Sequence, residues 1–356
     1  MPAWRTNFTK AQPFLKEINT PQPAQDELLV KILAMGVCHS DCTLLSLSAP
    51  IHGMKSEFTL GHEACGEIVA LGSQVPAQSF AVGDRVAMHI IPGCGFASCA
   101  DCARGMNRVC RAPESGNYGL GISDGFFAEY AVVSARAAVR LPRNLPVEQA
   151  AVSADAVLTA YHAVRYTGGV SSNDTVAIFG LGGVGLNGLQ TALYLGVGKE
   201  RVFVADKRRS VLDEAVKLGV PASNTFLVGD ETEGSIEAYV AEKGVQVDVV
   251  FDFVGHEQTM KAAQMVVRSG GTVVLVGLMS PVVPLVPLVT VLKAATIKTG
   301  YNGTMEAFRE CLELMAKGVL KPRVETGSIR RLPEVLRDLD EGKIKNRMVL
   351  LPDWET

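Results

Sequence analysis

Short apolar runs divided by turn residues occupy the first 150 positions of the chain. Each run is rich in Val, Ile and Leu, and Gly, Pro and Asp fill the gaps between runs. Runs of this length between turn residues are typical of β-strands. We expect strands over the segments Glu27 to Leu33, Gly66 to Leu71, Arg85 to Ile91 and Phe127 to Val133. The N-terminal part is therefore predicted to be β-rich.

The pattern changes after about residue 155, where short apolar runs alternate with longer helical ones. Strands are predicted at residues 175–179, 201–205, 247–253 and 272–276. A glycine turn leading into an apolar helix is predicted over 180–196, with further helices at 211–218, 258–267 and 305–317. Alternating strands and helices are typical of a parallel, doubly wound sheet. The chain is thus predicted to be an α/β protein with a β-rich domain and a doubly wound domain.

The segment from Gly270 to Leu292 carries no charged residue and is long enough to span a bilayer. Pro281, Pro284 and Pro287 interrupt it, however, and so do several glycines. We therefore predict a strand, a proline-rich turn and a second strand from Leu288 onward. An apolar strand at the edge of a sheet favours pairing with another subunit.

Composition excludes several classes of protein. The 356 residues carry 34 basic and 37 acidic side chains, a net charge of -3, which favours neither nucleic acid nor an anionic membrane. Polar residues follow Met1–Arg5 where a signal peptide would have an apolar run. Eight cysteines are too few for a disulfide scaffold of this length, and four of them cluster, which favours metal binding in a reducing compartment. We expect a cytoplasmic protein.

A glycine-rich loop lies directly between a predicted strand and a predicted helix. It has the form G-x-G-x-x-G and is followed by a carboxylate, Asp206, 26 residues after Gly180. In this context Gly180 permits a tight turn, Gly182 lets a pyrophosphate approach the backbone, and Gly185 allows close packing of helix and strand. The full set of predicted loop contacts is Gly180, Gly182, Gly183, Val184 and Gly185. Asp206 would hold the adenosine ribose and repel a 2'-phosphate, so NAD is favoured over NADP. Lys207, Arg208 and Arg209 follow at once, and we interpret them as a solvated helix start.

Four cysteines fall within 17 residues of a Gly-containing loop, namely Cys94, Cys99, Cys102 and Cys110. Four thiolates at such spacing are typical of a closed, tetrahedral structural zinc site. An iron–sulfur cluster is the alternative chemistry, but the spacing matches neither common ferredoxin pattern.

Cys38 and His62 form a second candidate metal site. They lie 24 positions apart, and each is followed closely by a carboxylate, Asp41 and Glu63. Single ligands far apart in sequence favour a catalytic zinc with one open position over a structural zinc. A buried cysteine and a hydrogen-bonded core histidine are the alternative interpretation of these two residues taken alone.

Taken together, these motifs resemble the zinc-dependent medium-chain alcohol dehydrogenases over nearly the whole chain. The resemblance rests on the segments 36–41 (GVCHSD), 61–63 (GHE), the four-cysteine lobe, 180–185 (GLGGVG) and 342–349 (GKIKNRMV). It implies a GroES-like catalytic domain, residues 1–155 and 301–356, and a Rossmann domain, residues 156–300. It also implies an enzyme with two zinc ions per chain that acts as a homodimer or homotetramer.

The resemblance assigns roles to individual residues. Cys38 and His62 match two catalytic zinc ligands, and Asp155 falls where the family has its third. Glu63 matches a carboxylate that can approach the metal, Asp41 the partner of the histidine, and Ser40 the hydroxyl that accepts the alcohol proton. The remaining matches are cofactor contacts: His39 and Arg347 to pyrophosphate, and Val184 and Thr159 to nicotinamide.

Three positions depart from the family pattern. Four residues separate Cys94 from Cys99, where the family usually has two. Thr43 stands where a histidine often ends the proton relay, and Ile90 where an aromatic residue often narrows the pocket. The departures predict a lobe that is bulged or has lost one ligand, a proton relay without an imidazole, and a roomier substrate pocket.

We therefore predict reversible hydride transfer between a zinc-bound alcohol and NAD, giving an aldehyde or ketone. Two alternatives stay open at this stage. A conjugate (alkene) reductase on the same fold is one, although the complete Cys38, His62 and Asp155 set argues against it. The other is a catalytically silent NAD-binding scaffold, against which the metal set and Ser40 also argue.

Overall fold

The computed structural model describes residues 1–9, 11–51, 53–229 and 234–354. Its strands are β1 Pro2–Asn7, β2 Phe14–Glu17, β3 Glu27–Val37, β4 Glu57–Thr59, β5 Glu63–Leu71, β6 Arg85–Met88, β7 Tyr130–Ser134, β8 Ala138–Arg140, β9 Val176–Phe179, β10 Val202–Asp206, β11 Thr225–Leu227, β12 Val247–Asp252, β13 Val267–Leu275, β14 Thr296–Thr299, β15 Val324–Ser328 and β16 Arg347–Leu351. Its α-helices are α1 His39–Ser46, α2 Ala100–Ala103, α3 Val147–Ala151, α4 Leu158–His162, α5 Gly185–Tyr194, α6 Arg209–Lys217, α7 Ile236–Lys243, α8 Glu257–Val266, α9 Pro287–Leu292, α10 Met305–Ala316 and α11 Leu332–Asp340.

The chain divides into two compact units. The first unit comprises Met1–Ala156, Thr304–Gly318 and Pro322–Thr356. The second unit comprises Val157–Gly303 and Val319–Lys321. The C-terminal residues thus return to the β-rich part of the chain, a long-range connection that local hydrophobic patterns do not reveal.

The first unit is built around the long strand β3. A mainly antiparallel sheet has the order β15-β16-β3-β5-β6-β8, and β7 also pairs with β3, while β2-β1-β4 form a smaller sheet. Leu28, Val30 and Ile32 on β3 are buried, as Val/Ile/Leu-rich central strands generally are. Antiparallel pairing of β3 with β5 places Gly36 opposite Glu63. That register brings together the chain just after β3 and the chain just before β5.

The second unit is a six-stranded parallel sheet with the order β11-β10-β9-β12-β13-β14. The strand order reverses between β9 and β12, and dinucleotides bind at such a reversal in doubly wound sheets. Buried side chains such as Ile178, Val204 and Phe251 fill the space between sheet and helices. The predicted parallel, doubly wound sheet is confirmed.

The prediction of a strand from Leu288 onward is wrong. Pro287–Leu292 form helix α9, and the next strand, β14, begins at Thr296. Pro287 lies in the first turn of this helix. Proline fits there because its fixed φ is helical and because the N–H that it lacks would have no hydrogen-bond partner within the helix. Local apolar pattern cannot separate a short buried strand from a short helix. Within the described part of the chain, no helix is long and apolar enough to cross a bilayer.

Candidate active site

The β3–β5 register creates the site in the first unit. Cys38 follows the end of β3 and His62 precedes the start of β5, so the paired strand ends bring the two side chains together. A Cβ atom at Gly36 would overlap the side chain of Glu63. Glycine at this position therefore allows the two strands to approach where the candidate ligands meet.

The three predicted catalytic zinc ligands converge. Cys38, His62 and Asp155 each offer one ligand atom, and these atoms lie within 4.8 Å of one another. Asp155 Oδ2 is 3.2 Å from Cys38 Sγ and 3.6 Å from His62 Nε2. Tetrahedral zinc with bonds of about 2.0–2.3 Å requires ligand atoms roughly 3.5 Å apart, so the donor set fits this metal.

Asp155 lies in irregular helix. Residues Ser153–Val157 form a π-helical turn that leads directly into α4. π-Helical turns are rare in proteins, and many of those that occur lie at functional sites, where the extra residue changes the direction of a side chain. The sequence predicts the ligand just before a helix but not this widened turn.

Asp41 contacts both Cys38 and His62. Its Oδ1 lies 3.2 Å from His62 Nδ1, which leaves Nε2 of the ring for a metal. Its Oδ2 accepts a hydrogen bond of 3.0 Å from the backbone N–H of Cys38 at the start of α1. Burial alone would lower the pKa of His62. The interactions with Asp41, Asp155 and Cys38 outweigh this effect and raise that pKa well above its ordinary value.

Glu63 and Arg347 form a buried ion pair beside the ligands. Arg347 donates from Nε to Glu63 Oε2 at 3.0 Å and from Nη2 to Glu63 Oε1, and Nη2 also lies 2.7 Å from Asp155 Oδ2. Glu63 Oε1 additionally accepts from the backbone N–H of Ala156. Arg347 was predicted to contact pyrophosphate and Glu63 to approach the metal. In the structure the two side chains also contact Asp155 and the turn that carries it.

The residues of the predicted proton path lie on α1. Ser40 Oγ is 3.6 Å from Cys38 Sγ, next to the ligand cluster. Thr43 is exposed, and its hydroxyl donates to the backbone oxygen of His39. His39 Nε2 lies 3.1 Å from the backbone oxygen of Leu339. Ser40 is therefore beside the candidate metal ligands, and Thr43 is a helical turn further along.

The four cysteines of the lobe also converge. Cys94 Sγ is 3.7 Å from Cys102 Sγ, and Cys99 Sγ is 3.8 Å from Cys110 Sγ. Four thiolates around zinc at about 2.3 Å would be about 3.8 Å apart, so the lobe fits a tetrahedral site. Gly95 takes a left-handed φ of 73° in the widened gap. The four sulfur atoms lie close together although two additional residues separate Cys94 from Cys99.

The glycine loop of the second unit lies where the sequence predicts. Gly180 follows β9 with a left-handed φ of 85°, and α5 starts at Gly185, whose Cβ, if present, would overlap the backbone of Gly180. Asp206 ends the neighbouring strand β10 and is buried. Its Oδ2 accepts a 2.7 Å hydrogen bond from the backbone N–H of Leu181, which fixes the carboxylate against the loop. Thr159, the predicted nicotinamide contact, is buried in α4.

Comparison with known proteins identifies the family. Residues 24–143 match the model of the alcohol dehydrogenase GroES-like domain, and residues 183–317 match that of the zinc-binding dehydrogenases. An alcohol dehydrogenase of Geobacillus stearothermophilus is 32% identical over 94% of both chains. The chain belongs to the zinc-dependent medium-chain alcohol dehydrogenase family. As a member of this family it is an oxidoreductase, and the predicted resemblance and the predicted combination of GroES-like and Rossmann domains are confirmed.

Two further relatives extend the comparison. Alcohol dehydrogenase 1 of Emericella nidulans is 31% identical over 94% of this chain and 93% of its own. The structure of acetophenone reductase from Geotrichum candidum in complex with NAD superposes with a TM-score of 0.87. It is 31% identical and covers 98% of this chain and 96% of its own. The similarity to family members therefore extends over both units.

Proposed function

We propose that this chain is a zinc-dependent alcohol dehydrogenase that interconverts an alcohol, primary or secondary, with an aldehyde or ketone, using NAD. The observation that carries the proposal is the convergence of Cys38, His62 and Asp155. Three protein ligands leave a fourth zinc position for substrate, as catalytic sites require. Acetophenone reductase and the alcohol dehydrogenases among the relatives support the same class of reaction.

Zinc bound there would act as a Lewis acid that lowers the pKa of the alcohol and polarises the carbonyl in the reverse direction. Ser40, whose hydroxyl is next to Cys38, takes the alcohol proton and returns it in reduction. Asp41 fixes the ring of His62 in the orientation that presents Nε2. Glu63 and Arg347 fix Asp155 through the buried ion pair.

The cofactor residues are proposed from the loop geometry and the family pattern. Backbone amides of the glycine loop, residues 180–185, bind the pyrophosphate at the start of α5. Asp206 accepts hydrogen bonds from the adenosine ribose and makes NAD the preferred cofactor. The further proposed contacts are His39 and Arg347 to pyrophosphate, and Val184 and Thr159 to nicotinamide.

We also propose a second, structural zinc in the lobe of four cysteines, so that each chain holds two ions. The GroES-like catalytic domain is proposed to comprise residues 1–155 and 301–356, and the Rossmann domain residues 156–300. None of the eight cysteines forms a disulfide, which supports our proposal that the enzyme is cytoplasmic.

An apolar surface on the second unit supports a homodimer. Strand β14 ends the parallel sheet, and α9 beside it exposes Leu288, Val291 and Leu292. Large exposed apolar surfaces mark interfaces, and an edge strand offers unpaired backbone groups that a second copy can pair across a two-fold axis. Light scattering tests this interface, because Leu288→Glu should yield monomers. Val216→Glu, at an exposed apolar position on α6, should leave the dimer intact.

Absorbance of NADH at saturating substrate tests the function. Zinc-loaded protein should oxidise alcohols and reduce aldehydes or ketones in a mixed panel. Ser40→Ala should keep both zinc ions and cofactor binding but lose about 100-fold to 10,000-fold in turnover, since a positioned proton acceptor contributes that much. Reduction of activated alkenes alone would establish the conjugate reductase. Bound zinc and cofactor with no turnover in the panel would establish the silent scaffold.

A further inference from the structure

Hydrogen bonds from residues that are not ligands hold the entrance of the cysteine lobe. Asn107 Nδ2 donates to the backbone oxygen of Pro92 at 3.2 Å, and the backbone N–H of Gly93 donates to the backbone oxygen of Ser115 at 3.1 Å. Arg136 Nη1 donates to the backbone oxygen of Gly93 at 2.5 Å. Asn107 lies in the lobe and Ser115 just after it, whereas Arg136 reaches the lobe from a different part of the first unit.

The pairing of β6 with β8 explains how Arg136 comes to the lobe. Strand β8 begins directly after the 3₁₀ turn Ala135–Ala137 and pairs antiparallel with β6. The backbone N–H of His89, just past the end of β6, donates to the backbone oxygen of Ala137 at 2.8 Å. The chain that leaves β6 toward Cys94 therefore runs alongside the turn that carries Arg136. Since Arg136 is an exposed residue, its replacement should not disturb the core.

Arg136 also borders the widened gap between Cys94 and Cys99. A Cβ atom at Gly95 would overlap the guanidinium of Arg136, so the two groups are in close contact. Gly93 and Gly95, on either side of Cys94, take left-handed φ values of 77° and 73°. The arginine therefore contacts both neighbours of this ligand, at two backbone turns that residues with a side chain rarely adopt.

The positive charge of Arg136 gives this contact a second effect. Zinc carries fewer positive charges than four thiolates carry negative ones, so a lobe that binds zinc through four cysteines is net negative. A guanidinium beside such a centre favours the thiolate form of the ligands, which is the form that binds zinc. Residues outside the ligand set that orient the ligands change metal affinity by about 10–100-fold.

We propose that Arg136 is a positioning residue of the structural zinc site, and that it holds the widened loop around Cys94 in the shape that binds zinc. The inference rests on the proposed function, since it assumes that the four cysteines hold this metal. Arg136 acts through the backbone of Gly93 and through its charge, and it provides no ligand atom. The lobe tolerates two additional residues after Cys94 because an arginine from outside the lobe fixes the start of the loop.

Metal affinity of the lobe in the full chain tests the proposal without any turnover. Cobalt(II) takes the place of zinc and gives each thiolate ligand a charge-transfer absorption, so the lobe absorbs more strongly than a site with one thiolate. Titration of the cobalt-loaded chain with a chelator then gives the relative dissociation constant of the lobe. Arg136→Met, which removes the hydrogen bond and the charge but keeps most of the side chain, should raise this constant by about tenfold or more.

Two further variants and one further measurement sharpen the test. Arg136→Lys keeps the charge and a donor, so it should recover part of the affinity. Arg111→Met is the matched control and should leave the affinity unchanged, because Arg111 is exposed and carries the same charge next to the ligand Cys110. The Tm of Arg136→Met should fall only in the metal-loaded protein, since a more weakly bound metal stabilises the folded chain less.

Each result supports or overturns the proposal. Weaker metal binding in Arg136→Met, with no change in Arg111→Met, supports it. Equal losses of affinity in these two variants overturn it, since they would reflect the general positive charge of the lobe. An equal fall in Tm with and without metal, at unchanged affinity, also overturns it, because Arg136 would then stabilise only the fold. A wild-type lobe that takes up no metal contradicts the structural zinc itself, whereas a metal-binding lobe that is insensitive to Arg136→Met overturns only this inference.

Discussion

Replacing Arg347 by Met removes the cation from the buried ion pair beside the proposed ligands. Glu63 is fully buried, and Arg347 is 7% exposed. Arg347 makes two hydrogen bonds to Glu63 and one to Asp155. The Met side chain fills much of the same space but leaves the Glu63 carboxylate without its counter-ion. The backbone N–H of Ala156 then remains as a hydrogen-bond donor to Glu63.

The expected loss of stability is large. Removing one partner of a buried ion pair costs about 3–5 kcal/mol, because the other charge stays out of water. Each kcal/mol corresponds to about 2–4 °C in Tm for a folding unit of 150–250 residues, so Tm should fall by about 6–20 °C. Differential scanning calorimetry at a fixed scan rate and fixed zinc concentration measures the shift.

An exposed pair of the same geometry provides the control. Arg331 donates from Nε and Nη2 to the two carboxylate oxygens of Glu334, but both side chains are exposed. Arg331→Met should leave Tm unchanged within error, since solvent screens such pairs. The double variant Glu63→Gln/Arg347→Met should regain more than half of the loss, because it leaves no charge unpaired at these positions. Equal small shifts for Arg347→Met and Arg331→Met would refute the assignment of a stabilising buried pair.

Three further predictions concern the metal sites and the proton path. Cys38→Ser should abolish turnover and lower zinc content while cofactor binding persists, and normal activity in this variant would contradict the catalytic zinc. Cys102→Ser should remove the zinc of the cysteine lobe and lower Tm, while the catalytic zinc stays bound. A zinc content of one ion per chain in fully loaded wild type would contradict the structural site, because it would show that the lobe holds no zinc. Thr43→His should accelerate alcohol oxidation near neutral pH and add a titration near the ordinary histidine pKa of about 6.5. Superimposable pH profiles of wild type and Thr43→His would exclude position 43 from a rate-limiting proton path.

Local features of the sequence predict the motifs better than the contacts between them. The glycine loop, the cysteine lobe and the doubly wound alternation each depend on residues close together in the chain, and the structure contains all three. Helix α9 is the exception, since its apolar residues fit a strand and a helix equally well. Its N-terminal proline was the available signal, but among three prolines in a short segment it also suggested a turn.

Local sequence patterns do not predict which residues that are far apart in the chain come into contact. Gly36 and Glu63 become neighbours through the β3–β5 register, and Arg347 joins them from strand β16 near the C-terminus. The family pattern places Arg347 at the cofactor and gives no sign of its bonds to Glu63 and Asp155. Burial supplies the missing reason, because a carboxylate enclosed at this position requires a cation within hydrogen-bonding distance.

The need of buried charges for counter-charges also explains why the pocket around Cys38, His62 and Asp155 suits a divalent cation. Three carboxyl groups, Asp41, Glu63 and Asp155, and the thiol of Cys38 surround two basic side chains, His62 and Arg347. The acidic groups raise the pKa of both basic groups well above their ordinary values, although burial alone would lower them. A pocket that favours positive charge suits a cation, and donor atoms of sulfur, nitrogen and oxygen favour zinc over magnesium or calcium. We therefore expect Asp41, Glu63 and Arg347 to influence the metal affinity of the proposed site, whose proposed ligands are Cys38, His62 and Asp155.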